Sequence, residues 1–285
     1  MKLAQKLAIN YTRSILHILA LVSRKKAARK AYDLFCTPQR RSKNKSTELF
    51  NKGERLSFRL SGNRIRGHRW LPHHLKGTPI KKVLLIHGFE SSSKNFDFYI
   101  PLLLRKGYEV LAFDAPAHGQ SGGKQINLAL YIRTLAAIHD KFGPIQSFLA
   151  HSFGGLAITH FLENIPYDEK TKLVLIAPAT ESKTSIDQFF HFLQLDWGTR
   201  TEFDNLIFEK IGSRPEDLSI RRAMKNSRVK VLWFHDQEDQ ITPLKDALPV
   251  KEEHPENIEL IITNGLGHRK IYKNVDVIKK AVDFL

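Results

Sequence analysis

Six short apolar runs, separated by segments of helical or polar character, constrain the fold of this chain more than any other feature. The runs are Val83 to Ile86, Val110 to Phe113, Phe148 to Ala150, Leu173 to Ala177, Val229 to Phe234 and Ile258 to Ile262. Short apolar runs without polar alternation are typical of strands buried on both faces of a parallel sheet. Apolar residues at helical spacing lie between or after them, notably at Asn127 to Lys141, Gly155 to Asn164 and Val275 to Leu285. Strands that alternate with helices predict an α/β protein with a mostly parallel central sheet flanked by helices.

Two segments stand outside this alternation. Glu54 to Leu60 and Arg64 to Trp70 predict a β-hairpin, because both have strand character and a Ser-Gly-Asn turn joins them. Residues 180–228 carry no strong strand pattern and predict a helical insertion that caps the sheet. We therefore expect an amino-terminal arm at residues 1–46 and an α/β domain at residues 47–285, with the insertion inside that domain.

The amino-terminal arm holds most of the excess positive charge. Met1 to Lys45 contains twelve Lys or Arg and one Asp, and it contributes +11 of the net charge of +16. Its apolar residues recur at spacings of three and four, which predicts an amphipathic helix; they are Leu3, Leu7, Ile15, Ile18, Leu19 and Val22. The helix either packs on its own domain, lies on an anionic membrane surface or belongs to a signal peptide. The signal peptide is disfavoured because the apolar run contains His17 and three basic residues follow it.

Composition narrows the remaining classes of protein. The longest apolar stretch, Ser14 to Ser23, is shorter than the roughly 20 residues that cross a bilayer, so no transmembrane span is expected. Cys36 is the only cysteine, which excludes an intrachain disulfide and favours a cytoplasmic protein, with peripheral contact at the inner membrane surface as an option. No nucleic-acid-binding motif accompanies the basic arm, so we do not expect a nucleic-acid partner. No clustered His and carboxylate pattern predicts a metal, and no cofactor is expected.

An apolar strand at residues 148–150 runs into a serine and then into glycines that open a helix. The sequence His151-Ser152-Phe153-Gly154 resembles the nucleophile elbow of the α/β-hydrolase superfamily, written Gly-x-Ser-x-Gly. Gly154 and Ala150 are small enough for strand and helix to approach, although Ala150 carries one methyl group more than the family's glycine. The resemblance implies the α/β-hydrolase fold with Ser152 as nucleophile. The alternative is a helix-capping serine beside a packing glycine.

A second motif follows the first buried strand. His87 and Gly88 resemble the oxyanion loop of the same superfamily. The resemblance implies that the backbone N–H groups of Phe89 and Phe153 stabilise the negative charge that develops on a carbonyl oxygen. We expect His87 to stabilise the loop rather than to take part in the reaction.

Residues 112–121 resemble the family's Asp-x-Pro-Gly-His-Gly-x-Ser loop, which follows the next strand. This loop is a structural signature of the superfamily. We therefore expect Asp114 and His118 to hold the loop by hydrogen bonds.

The remaining two catalytic residues implied by the resemblance follow the last two strands. Asp239 lies immediately before a Gln-Ile-Thr-Pro turn, at the position of the triad acid, with Asp236 and Glu238 as alternatives. His268 lies in a Gly-Leu-Gly-His loop that resembles the loop carrying the catalytic base. The order Ser152, Asp239, His268 is the order expected for this fold.

The resemblance covers Glu54 to Leu285, is weak in the insertion and is absent from the arm. It implies a serine hydrolase that cleaves a carboxylic ester, with a lipid ester or a thioester as options, through an acyl-enzyme. The partner would be a small-molecule or lipid ester, and the insertion's aromatic residues would line an acyl pocket or merely pack the cap. The alternatives are an aminopeptidase-like amide hydrolase and a non-catalytic binding protein with a hydrolase fold.

Overall fold

The computed structural model describes residues 3–41, 47–72, 81–168 and 170–285. The α-helices are α1 (Leu3–Val22), α2 (Arg24–Phe35), α3 (Glu48–Asn51), α4 (Ile100–Arg105), α5 (Leu128–Phe142), α6 (Phe153–Leu162), α7 (Ser182–Leu193), α8 (Trp197–Ile211), α9 (Ile220–Met224), α10 (Leu244–Glu253), α11 (Gly267–Lys270) and α12 (Val275–Phe284). The strands are β1 (Glu54–Leu60), β2 (Asn63–Trp70), β3 (Lys82–Ile86), β4 (Glu109–Asp114), β5 (Ser147–His151), β6 (Lys172–Ile176), β7 (Lys230–Asp236) and β8 (Ile258–Thr263). Lys2, Lys43 and Lys45, which belong to the basic arm, lie outside the described residues.

The eight strands form one sheet in the order β1-β2-β4-β3-β5-β6-β7-β8. β2 pairs antiparallel with β1 and β4, and the other neighbouring strands pair in parallel. This arrangement confirms the predicted α/β class and the mostly parallel sheet. The prediction of burial on both faces is wrong for β8, where Glu259 is exposed and Ile262 is 50% exposed. The reason is that β8 lies at the edge of the sheet and has a strand on one side only.

The β1–β2 hairpin turns at Ser61 and Gly62, whose φ angles are 46° and 77°. Leu60 pairs directly with Asn63, so the loop has two residues. Positive φ at both central residues gives the turn the twist that matches its strands. The predicted hairpin is confirmed, with Asn63 in the strand rather than in the turn.

The carboxyl ends of the parallel strands meet at one edge of the sheet, and this edge positions the candidate site. Ile86 at the end of β3 is in register with Ala150 near the end of β5, and Asp236 at the end of β7 pairs with Thr263 at the end of β8. In open α/β sheets, ligands bind at the loops that follow these strand ends. The loops after β3, β5, β7 and β8 carry every residue that the motifs single out as catalytic.

The chain divides into two compact units. One unit contains residues 38–180 and 220–285, including the whole sheet. The other joins Met1–Thr37 to Glu181–Ser219. Residues 3–37 of the predicted arm thus group with residues 181–219 of the predicted insertion, whereas residues 38–41 and 220–228 group with the sheet.

Aromatic packing explains why the arm and the insertion form one unit. The Phe35 ring lies 5.1 Å from the Phe189 ring and 5.8 Å from the Phe203 ring, and Tyr32 lies 5.9 Å from Phe203. Phe203 is fully buried. Several of the insertion's aromatic side chains thus pack against the arm, an arrangement that sequence patterns along the insertion alone do not reveal.

Polar contacts along α1 hold the same unit together. The Nε atom of Arg13 donates to the carbonyl of Phe192 at 3.0 Å, and Nε2 of His17 lies 2.9 Å from the carbonyl of Gln194. Leu16 is buried on the same side of the helix. Among the described helices, none is both long enough and apolar enough to span a bilayer.

Candidate active site

Ser152 occupies a strained turn between β5 and α6. Its φ of 54° and ψ of −125° lie in a region that residues with a side chain rarely adopt, which is the signature of a nucleophile elbow. The Ser152 carbonyl accepts hydrogen bonds from the N–H groups of Gly155 at 2.9 Å and Ala179 at 3.0 Å. These two backbone hydrogen bonds, one from α6 and one from the segment after β6, hold Ser152 in the strained conformation. The hydroxyl is thereby presented at the carboxyl edge of the sheet.

Close packing of the elbow against β3 requires the glycine that follows it. A Cβ at Gly154 would lie 2.6 Å from the His87 carbonyl oxygen and 2.8 Å from that of Ile86. Only glycine fits this approach without moving the backbone. Ala150 is fully buried within β5, so the extra methyl group at this position is accommodated in the core.

The loop after β3 lies directly against the serine. A Cβ at Gly88 would lie 2.7 Å from Cβ of Ser152 and 3.2 Å from its Oγ. Phe89 is the next residue of this loop, and Phe153 is the first residue of α6, whose N–H has no intrahelical acceptor. The two expected oxyanion donors are therefore both near the serine. Phe153 follows Ser152 in the sequence, and Phe89 follows the glycine that packs against it.

Two buried histidines fasten this loop. The Ala115 N–H donates to Nε2 of His87 at 2.9 Å, and the Glu90 N–H donates to Nε2 of His118 at 3.0 Å. A protonated imidazole has no acceptor nitrogen. Because Nε2 accepts a hydrogen bond in each of these two rings, both histidines are neutral. Burial lowers the pKa of His87, and it lowers the pKa of His118 to about 3. These contacts correspond to a structural role for both side chains.

Asp114 also stabilises the loops around the serine. Its Oδ1 accepts from the N–H and the hydroxyl of Ser93 at 2.9 and 2.8 Å, and its Oδ2 accepts from the Gln120 N–H at 2.8 Å. The carboxylate therefore joins the loop after β4 to the segment that follows β3, as expected from the motif.

His268 bridges Ser152 and Asp239. Its Nε2 lies 3.0 Å from the Ser152 Oγ, and its Nδ1 lies 2.8 Å from Oδ2 of Asp239. With Nδ1–H donating to the carboxylate, Nε2 is left to accept the serine proton. Three residues separated by up to 116 positions thus form one continuous hydrogen-bonded chain.

The Asp239 carboxylate is fully buried yet remains ionised. Burial alone would raise its pKa, but hydrogen bonds from His268 and from the N–H groups of Thr242 and Ile241 hold the pKa below its ordinary value. Both N–H groups donate to Oδ1 at 2.9 Å. One carboxylate oxygen is thus occupied by the backbone turn, while the other faces His268.

The two alternative acids are in different environments. Asp236 is buried and binds the loop that carries His268, because its Oδ2 accepts from the Thr263 hydroxyl at 2.7 Å and from the Leu266 N–H at 3.0 Å. Glu238 is exposed. Neither carboxylate contacts the imidazole, so Asp239 is the acid that the fold places beside His268.

Sequence reasoning missed two residues that hold the acid in place. The Thr242 hydroxyl donates to Oδ2 of Asp239 at 2.9 Å. His235 is fully buried, accepts from the Trp233 indole N–H at 3.1 Å and donates from Nε2 to the Thr242 carbonyl at 2.6 Å. An Asp followed two and three residues later by N–H donors is an Asx-type turn, and that pattern in residues 239–242 could have identified Thr242.

His151, the residue before Ser152, contacts the loop that carries His268. Its Nε2–H donates to the His268 carbonyl at 3.1 Å, and its ring packs 4.5 Å from that of Tyr272. Burial, reinforced by the proximity of His268, lowers the pKa of His151 to about 3. A neutral His151 therefore holds the backbone carbonyl of His268, and its ring also lies 4.8 Å from the His268 ring.

The described residues contain no group of three or more His, Cys, Asp or Glu side chains arranged to hold a metal ion.

Comparison with known proteins shows similarities in sequence and in fold. Residues 77–207 match the family model described as serine aminopeptidase, S33. Juvenile hormone epoxide hydrolase of Manduca sexta is 35% identical over 85 residues, which cover 28% of this chain and 18% of that protein. The chain therefore spans less than a fifth of the length of that relative.

Longer matches are weaker in sequence. A bifunctional esterase/perhydrolase of Acinetobacter calcoaceticus is 23% identical over 248 residues, 68% of this chain and 87% of that protein. The crystal structure of an esterase of Pyrococcus furiosus superposes with a TM-score of 0.63 at 18% identity, over 88% of this chain and 97% of that one. At this identity the likeness establishes a shared fold.

Proposed function

Because this chain is an α/β-hydrolase in fold, we propose that it is a serine hydrolase that cleaves carboxylic esters through an acyl-enzyme. The observation that carries the proposal is the hydrogen-bonded chain from Ser152 through His268 to Asp239, built on a strained elbow. Nucleophile, base and orienting acid in hydrogen-bond contact are the arrangement that activates a serine hydroxyl at neutral pH.

In the first half of the reaction, Ser152 attacks the ester carbonyl. The Oγ–C bond forms as Nε2 of His268 takes the hydroxyl proton, and the same nitrogen then returns that proton to the departing alcohol. Asp239 keeps the proton of the imidazole on Nδ1 and stabilises the imidazolium that forms transiently. The products of this half are a free alcohol and an acyl group on Ser152.

In the second half, water replaces the alcohol. Nε2 of His268 takes one proton from water as its oxygen attacks the acyl carbonyl, and it returns the proton to Oγ of Ser152 as the acid leaves. The overall reaction consumes one ester and one water and yields one alcohol and one carboxylic acid. None of these steps needs a cofactor.

The oxyanion of both tetrahedral intermediates would be bound by the N–H groups of Phe89 and Phe153. The close approach of Gly88 to Ser152 supports this assignment, since it brings the preceding part of the same loop against the nucleophile. Two preorganised donors in a water-poor site stabilise developing charge, and removal of one such donor costs roughly 10² to 10³ in turnover.

An ester of a small molecule or a lipid is the favoured substrate class, and thioesters share its chemistry. The similarity to the bifunctional esterase/perhydrolase of Acinetobacter calcoaceticus, which extends over 68% of this chain, supports an ester as the substrate. The name of the matching family model supports the second candidate, an aminopeptidase-like amide hydrolase. A binding protein without activity is the third candidate, and the complete set of contacts around His268 argues against it.

A cytoplasmic location suits the single cysteine, Cys36. Its thiol is buried, which raises its pKa to about 11 and makes it unreactive.

A panel of nitrophenyl esters of increasing acyl length, assayed beside aminoacyl anilides, tests the proposed function. The wild type should hydrolyse the esters faster than the anilides, and Ser152→Ala should lose turnover by several orders of magnitude, about 10⁶ in the triad template. Faster hydrolysis of the anilides would favour the aminopeptidase-like alternative. Absence of turnover on every member would favour the binding protein.

A further inference from the structure

The exposed face of α1 is apolar although the opposite face is already packed. Five large apolar side chains lie on it, at spacings that place them along one side of a helix; they are Leu7, Tyr11, Ile18, Leu21 and Val22. Leu21 and Val22, at the end of the helix, are 88% and 75% exposed. An apolar stripe of this kind in water points to a partner surface.

The insertion contributes a tryptophan to the same corner of its unit. Trp197, the first residue of α8, is 80% exposed. Its neighbour Asp196 pairs with Arg24, the first residue of α2, at 3.2 Å. Because only Ser23 separates Arg24 from Val22, the tryptophan and the end of α1 flank one ion pair. We call Leu21, Val22 and Trp197 the apolar corner.

Positive charge lies on α2, which follows Val22 of the apolar corner, while the acid beside Trp197, Asp196, is paired with Arg24. α1 and α2 contain seven Lys or Arg and a single acid, Asp33. Five of these cations lie on α2, and all five are exposed; they are Arg24, Lys25, Lys26, Arg29 and Lys30. Exposed leucine, valine and tryptophan beside a basic helix are the combination that interfacial helices present to anionic lipid.

We propose that the apolar corner and the basic face of α2 form a docking surface for an anionic lipid bilayer. Leu21 and Val22 enter the boundary between headgroups and acyl chains, Trp197 lies at the level of the headgroups, and the cations of α2 face the lipid phosphates. The helix lies in the interface rather than crossing it. The surface is composite, since the arm and the insertion each supply part of it.

Charge favours lipid over a second copy of this chain as the occupant. In a symmetric dimer through the same surface, the basic α2 of one copy would face the basic α2 of the other. Bringing like charges together at a desolvated contact costs free energy, so this dimer is disfavoured. An acidic leaflet, by contrast, attracts every cation of α2.

Cosedimentation of the full-length protein with vesicles tests the proposal. Phosphatidylcholine vesicles with 30% phosphatidylglycerol are compared with pure phosphatidylcholine at low and high salt. We expect binding to the anionic vesicles that weakens as salt rises. Tryptophan fluorescence gives a second readout, because Trp70 and Trp233 are 4% and 1% exposed and a blue shift on vesicle addition therefore reports Trp197.

Two valines of nearly equal exposure, Val22 and Val275, provide the matched control. Val22→Glu should weaken vesicle binding roughly tenfold or more, because it places a carboxylate at the lipid contact. Val275 on α12 is 76% exposed, and Val275→Glu should bind as the wild type does. Trp197→Ala should weaken binding and abolish the blue shift. Melting temperature and hydrolysis of a short soluble ester verify that each variant is folded.

Three results would overturn the proposal. The first is wild-type protein that does not bind anionic vesicles, and the second is folded Val22→Glu that binds them as tightly as Val275→Glu does. The third is a wild-type dimer in sedimentation velocity that Val22→Glu dissociates, without vesicle binding by either protein. That third result would assign the surface to a second copy of the chain. The outcome is independent of whether Ser152 is the nucleophile.

Discussion

The hydroxyl of Thr242 donates a 2.9 Å hydrogen bond to Oδ2 of Asp239, the same oxygen that accepts the imidazole proton of His268. The backbone N–H of Thr242 donates to the other oxygen of this carboxylate. Thr242 therefore orients the acid through both carboxylate oxygens, and we regard it as a positioning residue.

Thr242→Val keeps the shape of the side chain and removes the hydrogen bond. We expect kcat to fall about tenfold with little change in KM, because a net hydrogen bond to a charged group is worth about 1.5 kcal/mol. Thr242→Ser restores the hydroxyl and should restore most of the activity. Steady-state kinetics of both variants distinguish positioning from packing, since a packing role would be disturbed more by serine than by valine.

Replacing each acid of the turn by its amide tests the assignment of Asp239. Asp239→Asn should lower turnover by roughly 10⁴, because the imidazole loses the partner that fixes its tautomer. Glu238→Gln should leave kinetics unchanged, because that side chain is exposed. Asp236→Asn should lower stability more than activity, because its carboxylate binds Thr263 and Leu266 rather than His268. If Asp236→Asn instead proved the most damaging to kcat, the acid would be misassigned.

The buried histidines predict loss of stability in mild acid. His118 and His151 have pKa values lowered to about 3 in the folded protein, against about 6.5 in the unfolded chain. Between these values the unfolded state binds more protons, so the free energy of unfolding rises with pH and falls as pH drops below 6.5. Each such histidine then costs about 2 kcal/mol by pH 5.

Urea unfolding at pH 7.5 and pH 5.0 measures this effect. His118→Gln cannot titrate, and its stability should fall less between the two pH values than that of the wild type. An equal fall in both proteins would mean that His118 does not contribute to acid sensitivity.

Much of the fold was predictable because its signals are local. The buried strands, the hairpin turn and the elbow at Ser152 follow from residues adjacent in the sequence. The order of the three catalytic motifs can be read directly along the sequence. The edge position of β8 was not predicted, although the charged Glu259 within Ile258 to Ile262 is a local signal that this strand meets solvent. Which strand lies at the edge depends on the topology of the whole sheet.

The pairing of the arm with the insertion also escaped prediction. The contact between Phe35 and Phe189 joins residues 154 positions apart, and neither local sequence indicates the other. The bond from Thr242 to Asp239 is local by contrast, since it lies within the turn at residues 239–242, but apolar periodicity does not reveal such a turn. Long-range packing and side-chain-to-backbone bonds are the parts of the site that periodicity cannot indicate.

Removing the arm should therefore destabilise the insertion. Deletion of residues 1–37 exposes the face of Phe203 that packs against Tyr32 and Phe35, and we expect aggregation or loss of the melting transition of this unit. Tyr32→Ala is the milder test, and it should lower the free energy of unfolding by about 3 kcal/mol, the cost of truncating a buried aromatic side chain. A truncated protein with unchanged solubility and melting temperature would show that the arm is dispensable for folding.

Covalent labelling with a fluorophosphonate, read by intact mass and peptide mapping, tests the central claim most directly. The wild type should gain one adduct, on the peptide that contains Ser152, and His268→Ala should react far more slowly because the hydroxyl loses its base. Ser152→Ala should remain unlabelled while keeping the melting temperature of a folded protein. Equal labelling of the wild type and Ser152→Ala, or an adduct that maps to another residue, would contradict the assignment of Ser152 as the nucleophile.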